Sequence, residues 1–193
     1  MKKAGNLLLV FVKNPVLGKV KTRLAKSIGD KAALEIYLKL LAHTQSILQS
    51  INCADTAVFY SDEIEKQYFK TAKYKNIQTG NDLGERMCHA FEWGFNLYYK
   101  NIVIIGSDCF ELQSQHIIEA FDNLQKNDIV IGPANDGGYY LLGMKNLEKS
   151  LFENIDWSTE SVYIKTINKL KKLKKTFVTL EKLNDVDTID DLK

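Results

Sequence analysis

The sequence predicts an α/β protein, a three-layer α/β/α sandwich around a mostly parallel mixed sheet, with residues 1–193 forming a single domain. Three observations carry this expectation. Short apolar runs such as Leu7–Val12 and Asn101–Ile105 are continuous rather than alternating, as in strands buried on both faces. They alternate with helical stretches of moderate length, the order that yields a parallel sheet covered on both sides. Each main run then breaks into Gly, Pro or a charged residue, and both prolines, Pro15 and Pro133, closely follow such a run.

Leu7–Val12 reads as the first strand, followed by a loop from Lys13 to Gly29. Asp30 can cap a helix whose apolar positions Leu34, Tyr37, Leu38, Leu41 and Leu48 share one face. Thr56–Tyr60 reads as a strand, Glu63–Ala72 as a helix, and a short extended piece lies near Ile77. A Gly-bounded turn then opens a helix running to about Tyr99. Asn101–Ile105 is the next strand, Ser114–Gln125 a helix, and Ile129–Ile131 and Tyr139–Met144 two further strands. The stretch from Ile155 opens a helix to about Leu173, Thr176–Leu180 is a late strand, and Thr188–Leu192 a closing helical turn.

Bulk properties exclude several classes. The chain is 45% hydrophobic and 26% charged, an ordinary globular balance. A net charge of +2 gives no footprint for nucleic acid or a membrane surface. No apolar run approaches the roughly 20 residues of a membrane span. Lys2 and Lys3 precede a short apolar run without a small-residue cleavage site, so the start reads as a buried strand and not a signal peptide. Three cysteines without C-x-x-C spacing suit a reduced cytoplasm rather than a disulfide framework or a zinc site.

In a sheet of this kind ligands bind beyond the carboxyl ends of the strands, and the unusual residues gather there. The first loop, KNPVLGKVKTRLA, offers Lys13, Gly18, Lys21, Thr22 and Arg23. Cations and free backbone N–H groups in a tight turn suit a phosphate. The loop is not a Walker A motif, because Val20 follows Gly18-Lys19. In an extended segment Lys21 and Arg23 would point the same way, and Arg23 could grip an oxyanion with both arms. A solvated basic loop explains the same residues.

Asp108 follows the Asn101–Ile105 strand at once, where one carboxylate plus substrate phosphates would hold Mg²⁺. It could instead cap the next turn. In GPANDGGYYLLG, Asp136 could bond a sugar hydroxyl or an incoming nucleophile, Gly137 and Gly138 let a backbone approach closely, and Tyr139 and Tyr140 could form one wall. The same Asp-Gly pair is a hairpin signal. Asp187, in the literal D-x-D of Asp185-Val186-Asp187, could be a second metal carboxylate, while Thr188 and Asp191 match a local capping pattern. Leu83 and Gly84, with Arg86 one step on, could form a base-binding turn or simply start a helix capped by Asn81 or Asp82. His43, His89 and His116 lack metal or triad spacing.

At these residues the chain resembles a known family. FVKNPVLGKVKTRLA, LGERM, IIGSDCFEL, GPANDGGYYLLGM, IDWSTESV and DVDTIDDL occur in the order seen in bacterial glycosyltransferase-like proteins of the radical-SAM-associated or arsenosugar type. The resemblance spans about residues 5–192 and implies the glycosyltransferase A fold of nucleotide-diphospho-sugar transferases, with kinship to nucleotidyltransferases. It implies that Lys13, Gly18, Lys21 and Arg23 hold nucleotide phosphates and that Asp108 holds Mg²⁺ (or Mn²⁺). By its late D-T-x-x-D-L motif, Asp187 would be the second metal ligand. One departure is plain: the mid-chain motif reads Gly-Ser-Asp where Asp-x-Asp is usual.

The sequence therefore leads to a transferase with a nucleotide-sugar donor and a small-molecule acceptor. Lys21, Arg23 and Asp136 would act in catalysis, and Trp157, Ser158 and Thr159 would stand beside Gly137, Gly138 and Tyr139 on the acceptor side. A nucleotidyltransferase releasing pyrophosphate, and a non-catalytic nucleotide-binding protein, are the alternatives.

Overall fold

A computed structural model of the chain describes residues 5–192; Lys2 and Lys3 lie outside them. Seven strands and five α-helices are present among these residues. In chain order they are β1 (Asn6–Val12), α1 (Thr22–Ile28), α2 (Asp30–Ser50), β2 (Asp55–Tyr60), β3 (Tyr74–Ile77), α3 (Leu83–Asn96) and β4 (Asn101–Ile105). There follow α4 (Ser114–Asn123), β5 (Ile129–Pro133), β6 (Tyr139–Met144), α5 (Val162–Lys172) and β7 (Phe177–Thr179).

All seven strands join one sheet in the order β3-β2-β1-β4-β6-β5-β7. Only β6 runs against its neighbours, pairing antiparallel with β4 and β5; the other pairs are parallel. The expected α/β sandwich with a mostly parallel mixed sheet is therefore the observed fold. The central register sets Leu9 beside Ala57 on one side and Ile104 on the other. Alternate residues of β1 serve two cores. Leu8 and Val10 pack with Tyr37 and Leu40 of α2 and with Phe121 of α4. Leu7 and Leu9 pack with Met87 and Phe91 of α3 and with Leu170 of α5. Such fully buried aliphatic side chains stabilise by roughly 1.5–3 kcal/mol each, which is why β1 needs no alternation.

The chain winds from β1 outward through β2 and β3, then returns to place β4 on the other side of β1. The strand order reverses at that point, and the loops leaving β1 and β4 diverge there to leave a crevice.

The structure corrects four expectations. Residues 63–72 are not helical. Their backbone groups are claimed by side chains from elsewhere: Asn14 Oδ1 accepts from the Glu63 N–H, Gln45 Oε1 from the Phe69 N–H, and Lys75 Nζ donates to the carbonyls of Glu65 and Tyr68. Phe69, with a left-handed backbone, anchors the segment in the core. The Lys13–Gly29 segment is not loop throughout, because Leu24 is apolar enough to bury fully and seats α1 on α2. Gly29, not Asp30, is the cap residue of α2. Finally, α5 begins only at Val162, since the preceding residues form the wall described below.

Candidate functional site

The crevice is built first from the β1 exit. The Tyr37 hydroxyl, projecting from α2, accepts from the Lys13 N–H and donates to the Lys13 carbonyl, both at 2.8 Å. It also lies 3.4 Å from Ser107 Oγ, so one buried phenol stitches the loop after β1 to the loop after β4. Burial pushes its pKa up to about 12, so it stays a neutral linker. Gly18 adopts a left-handed φ of 75° in the following turn, and its open side faces Asp30 rather than the crevice.

Lys21 comes next, at the start of α1, with φ 46° and ψ 45°. A left-handed conformation costs a lysine about 1–2 kcal/mol, and here it coincides with a definite placement. Lys21 Nζ lies 3.2 Å from Asp108 Oδ2 and 3.2 Å from Asp187 Oδ1, with only 6% of the side chain exposed. Burial works against the ammonium, but the two carboxylates outweigh it and hold its pKa above the ordinary lysine value. Arg23 lies one step inside α1, is 62% exposed, and reaches Asp187 Oδ2 only at 3.6 Å. The expectation of two parallel cations on an extended segment is thus corrected: the helix start sends one inward and leaves the other facing solvent.

The acidic side comes from two distant segments. Asp108 follows β4, and its carbonyl accepts from the Val186 N–H at 2.9 Å, which ties the C-terminal loop to the β4 exit. Asp187 is held by Asp191, whose Oδ2 accepts from the N–H groups of Asp187 and Thr188 and from Thr188 Oγ at 2.7–3.0 Å. The expected capping pattern is therefore present, carried by Asp191, and it leaves the Asp187 carboxylate to pair with Lys21 and Arg23. Asp185 was not anticipated. Its Oδ1 is buried without a hydrogen-bond partner. Burial first, then the charges of Asp108, Asp136 and Asp187, push its pKa up to about 8 against the pull of Lys21.

Asp136 sits in the turn between β5 and β6, where its Oδ1 accepts from the Gly138 N–H at 2.8 Å. The hairpin expected from Asp-Gly is present. Gly137 has φ 87°, and a Cβ there would fall 2.3 Å from the Glu160 carbonyl oxygen. Its own carbonyl accepts from the Tyr163 N–H at 2.9 Å, docking the turn on the start of α5.

Together these groups border a cavity of about 410 Å³, within the usual range for a small-molecule site. Lys13, Lys21, Thr22 and Arg23 line it together with Asp108, Asp136, Asp185 and Asp187. Leu83, Gly138, Tyr139, Trp157, Ser158 and Thr159 also line it. Four expected residues do not line it. Gly18 and Gly137 shape turns. Arg86 Nε donates to the Gly80 carbonyl at 3.1 Å. Gly84 lies beneath the Trp157 indole, where a Cβ would come within 2.3 Å of Nε1. Its bareness seats that tryptophan, and Asp82 is the α3 cap, accepting from the Glu85 N–H. Tyr37, Gln78, Met87 and Asp185 are lining residues the sequence reading missed. Asp185 had a signal, the literal D-x-D; Tyr37 looked like one more apolar position of α2.

Among the described residues no group of three or more His, Cys, Asp or Glu side chains is arranged to hold a metal ion. The Lys21 ammonium bridges Asp108 and Asp187 instead. The donors nevertheless suit a hard cation, which takes carboxylate oxygens, waters and phosphates: Asp108 and Asp187 converge, and the orphaned Asp185 Oδ1 stands among them. His43, His89 and His116 each bond to backbone groups outside this cluster. Cys53, Cys88 and Cys109 are unpaired, and no helix of the described residues is long and apolar enough to cross a membrane.

No curated protein matches the sequence. Among solved structures, a protein of Desulfovibrio desulfuricans G20, provisionally named a nucleotide-diphospho-sugar transferase, is 33% identical with a TM-score of 0.91; the match covers 98% of this chain and 85% of that one. A cytidylyltransferase of Leptospira borgpetersenii superposes with TM-score 0.59 at 16% identity over 97% of this chain and 83% of its own. The 4-diphosphocytidyl-2C-methyl-D-erythritolsynthase of Anaerococcus prevotii gives 0.64 at 9% identity over 97% and 92%. These two share the fold, which is of the nucleotide-diphospho-sugar transferase type. The family described as "Uncharacterized protein conserved in bacteria (DUF2064)" matches residues 44–159, and this chain belongs to it.

Proposed function

We propose that the protein is a nucleotide-dependent transferase that moves a sugar from a nucleotide-diphosphate donor to a small-molecule acceptor in the cytoplasm. One observation carries the reading: the cavity at the strand-order reversal is lined by the cations Lys13, Lys21 and Arg23 and by the carboxylates Asp108, Asp136, Asp185 and Asp187. That is the charge pattern a diphosphate bridged by a divalent cation requires. The 33% identical relative named for nucleotide-sugar transfer supports it, and the motif resemblance supports a place beside the radical-SAM-associated, arsenosugar-type transferases.

Asp108 and Asp187, with Asp185 behind them, would hold Mg²⁺ or Mn²⁺. When bound, the ion supplies electrostatic stabilisation to the diphosphate leaving group. The chain's own residues then divide the work. Lys13 and Arg23 meet the phosphates from the solvent side. Lys21 approaches from below, its ammonium fixed before substrate arrives, so little reorganisation is needed as charge grows on the leaving oxygen. The acceptor hydroxyl attacks the anomeric carbon, the bond from that carbon to the phosphate oxygen breaks, and the electron pair leaves with the nucleoside diphosphate. Asp136 faces this space with Oδ1 engaged by Gly138, which leaves Oδ2 to take the acceptor's proton. Tyr139 and Trp157, edge to face with centroids 6.4 Å apart, wall the acceptor side.

The test is thermal stabilisation by NTPs, NDPs and NDP-sugars, with and without Mg²⁺. Stabilisation by an NDP-sugar beyond that by its NTP is the expected result. A response to NTP alone would move the assignment to nucleotidyl transfer, the chemistry of several structures that share this fold. No response to any nucleotide would end both readings. Binding without turnover across a panel of acceptors would indicate a nucleotide-binding protein without catalysis.

A further inference from the structure

Gln78 follows β3 and lines the same cavity, and nothing above gives it a role. It is anchored three times at the carboxyl ends of β1 and β2. Its backbone N–H donates to the Tyr60 carbonyl at 2.8 Å. Its side-chain Nε2 donates to the carbonyls of Val12 at 3.1 Å and Phe59 at 2.9 Å. Carbonyl oxygens can only accept, so these two contacts fix which end of the amide is nitrogen and use both of its hydrogens. Oε1 accepts no hydrogen bond among the described residues, and it is the polar atom left for Gln78 to offer the cavity. The Val12 carbonyl beside it is already taken twice, by Nε2 and by the Ser61 N–H. Phe11, Leu83 and Met87 give the same cavity apolar lining.

A fixed, acceptor-only group in a cavity with apolar lining suits a heterocycle that turns an N–H toward it. Resting on the proposed nucleotide donor, we infer that Gln78 is a specificity-determining residue that reads an N–H on the Watson–Crick edge of the donor's base. The discrimination follows from the geometry. The amide cannot turn over to present a donor without abandoning two strand-end carbonyls, so a base edge offering only acceptors at that place meets an unpaired, desolvated oxygen. Mismatches of that kind cost more than a missing apolar contact.

The experiment measures binding of UDP, CDP, ADP, GDP and inorganic pyrophosphate, each with Mg²⁺, to the wild type and to Gln78→Met. Methionine keeps the unbranched length and removes the acceptor. The expected result is a clear preference among the four nucleotides in the wild type. In the variant the preferred one binds about tenfold more weakly, the spread among bases collapses, and pyrophosphate affinity is unchanged. That last value shows that the variant folds and that its phosphate site is intact. A spread that survives Gln78→Met, or pyrophosphate and nucleotides weakened in parallel, overturns the role of Gln78 while leaving the proposed function standing. Failure of the wild type to bind any of the five overturns both.

Discussion

Two lysine–aspartate clusters lie at opposite ends of the sheet and do opposite things. At the amino ends of β2 and β3, Lys73 Nζ lies 2.6 Å from Asp55 Oδ2 and 5.3 Å above the Tyr74 ring, with its side chain 45% exposed. The Tyr99 hydroxyl donates to the same carboxylate oxygen. Burial alone would raise the Asp55 carboxyl, but Lys73 and Tyr99 hold it below its usual value. Every charge there has its partner. At the carboxyl ends of β1 and β4, one buried ammonium faces Asp108 and Asp187, with a third carboxylate, Asp185, left over. The first cluster is a closed structural pairing. The second leaves a buried carboxylate oxygen, Asp185 Oδ1, without a partner.

The sharpest way to break this contrast is to remove Lys21. Lys21→Met leaves Asp108, Asp185 and Asp187 facing one another without a cation. Breaking a fully buried pair costs about 3–5 kcal/mol; with both partner carboxylates partly exposed we expect about 2–3 kcal/mol. That corresponds to a melting temperature lower by about 5–10 °C in a chain of this size, read by calorimetry in chelator. In the same variant kcat should fall by about 10²–10³-fold, the usual effect of losing one preorganised charge at a leaving group. A variant as stable and as active as the wild type would remove Lys21 from the centre of the site.

The next effect is one of pH. A carboxyl whose pKa rises from an ordinary value near 4 to about 8 on folding binds a proton in the folded state that the unfolded chain has released. Its contribution to stability is full below about pH 4 and is lost as pH rises through about 8. Asp185→Asn removes the ionisation. In chelator, urea midpoints of the wild type should decline from pH 5 to 8.5 more steeply than those of the variant, and the variant should be the more stable of the two at pH 8.5. Parallel profiles would mean that Asp185 is charged throughout.

A smaller effect separates the two cations of the β1 loop. Arg23 is mostly in solvent, and Arg23→Ala should leave stability within about 0.5 kcal/mol. By titration calorimetry, nucleoside diphosphate should bind about tenfold more weakly, the scale of one charged hydrogen bond. A melting temperature that falls as far as that of Lys21→Met would show that the exposed arginine supports the fold instead of the ligand.

The uneven legibility of the sequence has the same physical origin as this contrast. The strands around β1 could be read because continuous burial leaves a continuous apolar run, as in Leu7–Val12. Asp108 and Asp136 could be marked because one follows a strand closely and the other sits in a turn signal, and Asp187 because of its D-x-D and the resembled family's late motif. The helix expected over 63–72 failed because Asn14, Gln45 and Lys75, distant in sequence, take its backbone groups. Gly84 could be marked as special but not explained, since its reason is an indole more than seventy positions away. Asp185 went unseen because burial, not position, makes it distinctive. Gln78 went unseen because a glutamine becomes a reader only when both of its hydrogens are tied down elsewhere.

The smallest effect belongs to the cluster at the far end. Lys73→Ala removes an exposed ion pair, and such pairs are worth about 0–1 kcal/mol and are screened by salt. The change should lower the melting temperature by no more than about 2–4 °C at low ionic strength and by less at 0.5 M salt. Nucleotide binding should not change, because Lys73 lies at the opposite ends of the strands that carry the cavity. The salt series matters more than the single value. For an exposed pair, raising the salt brings the variant and the wild type together. For Lys21→Met the gap should persist, because a buried ammonium is poorly reached by solvent ions. If the two gaps closed alike, Lys21 would be no better sheltered from solvent ions than Lys73.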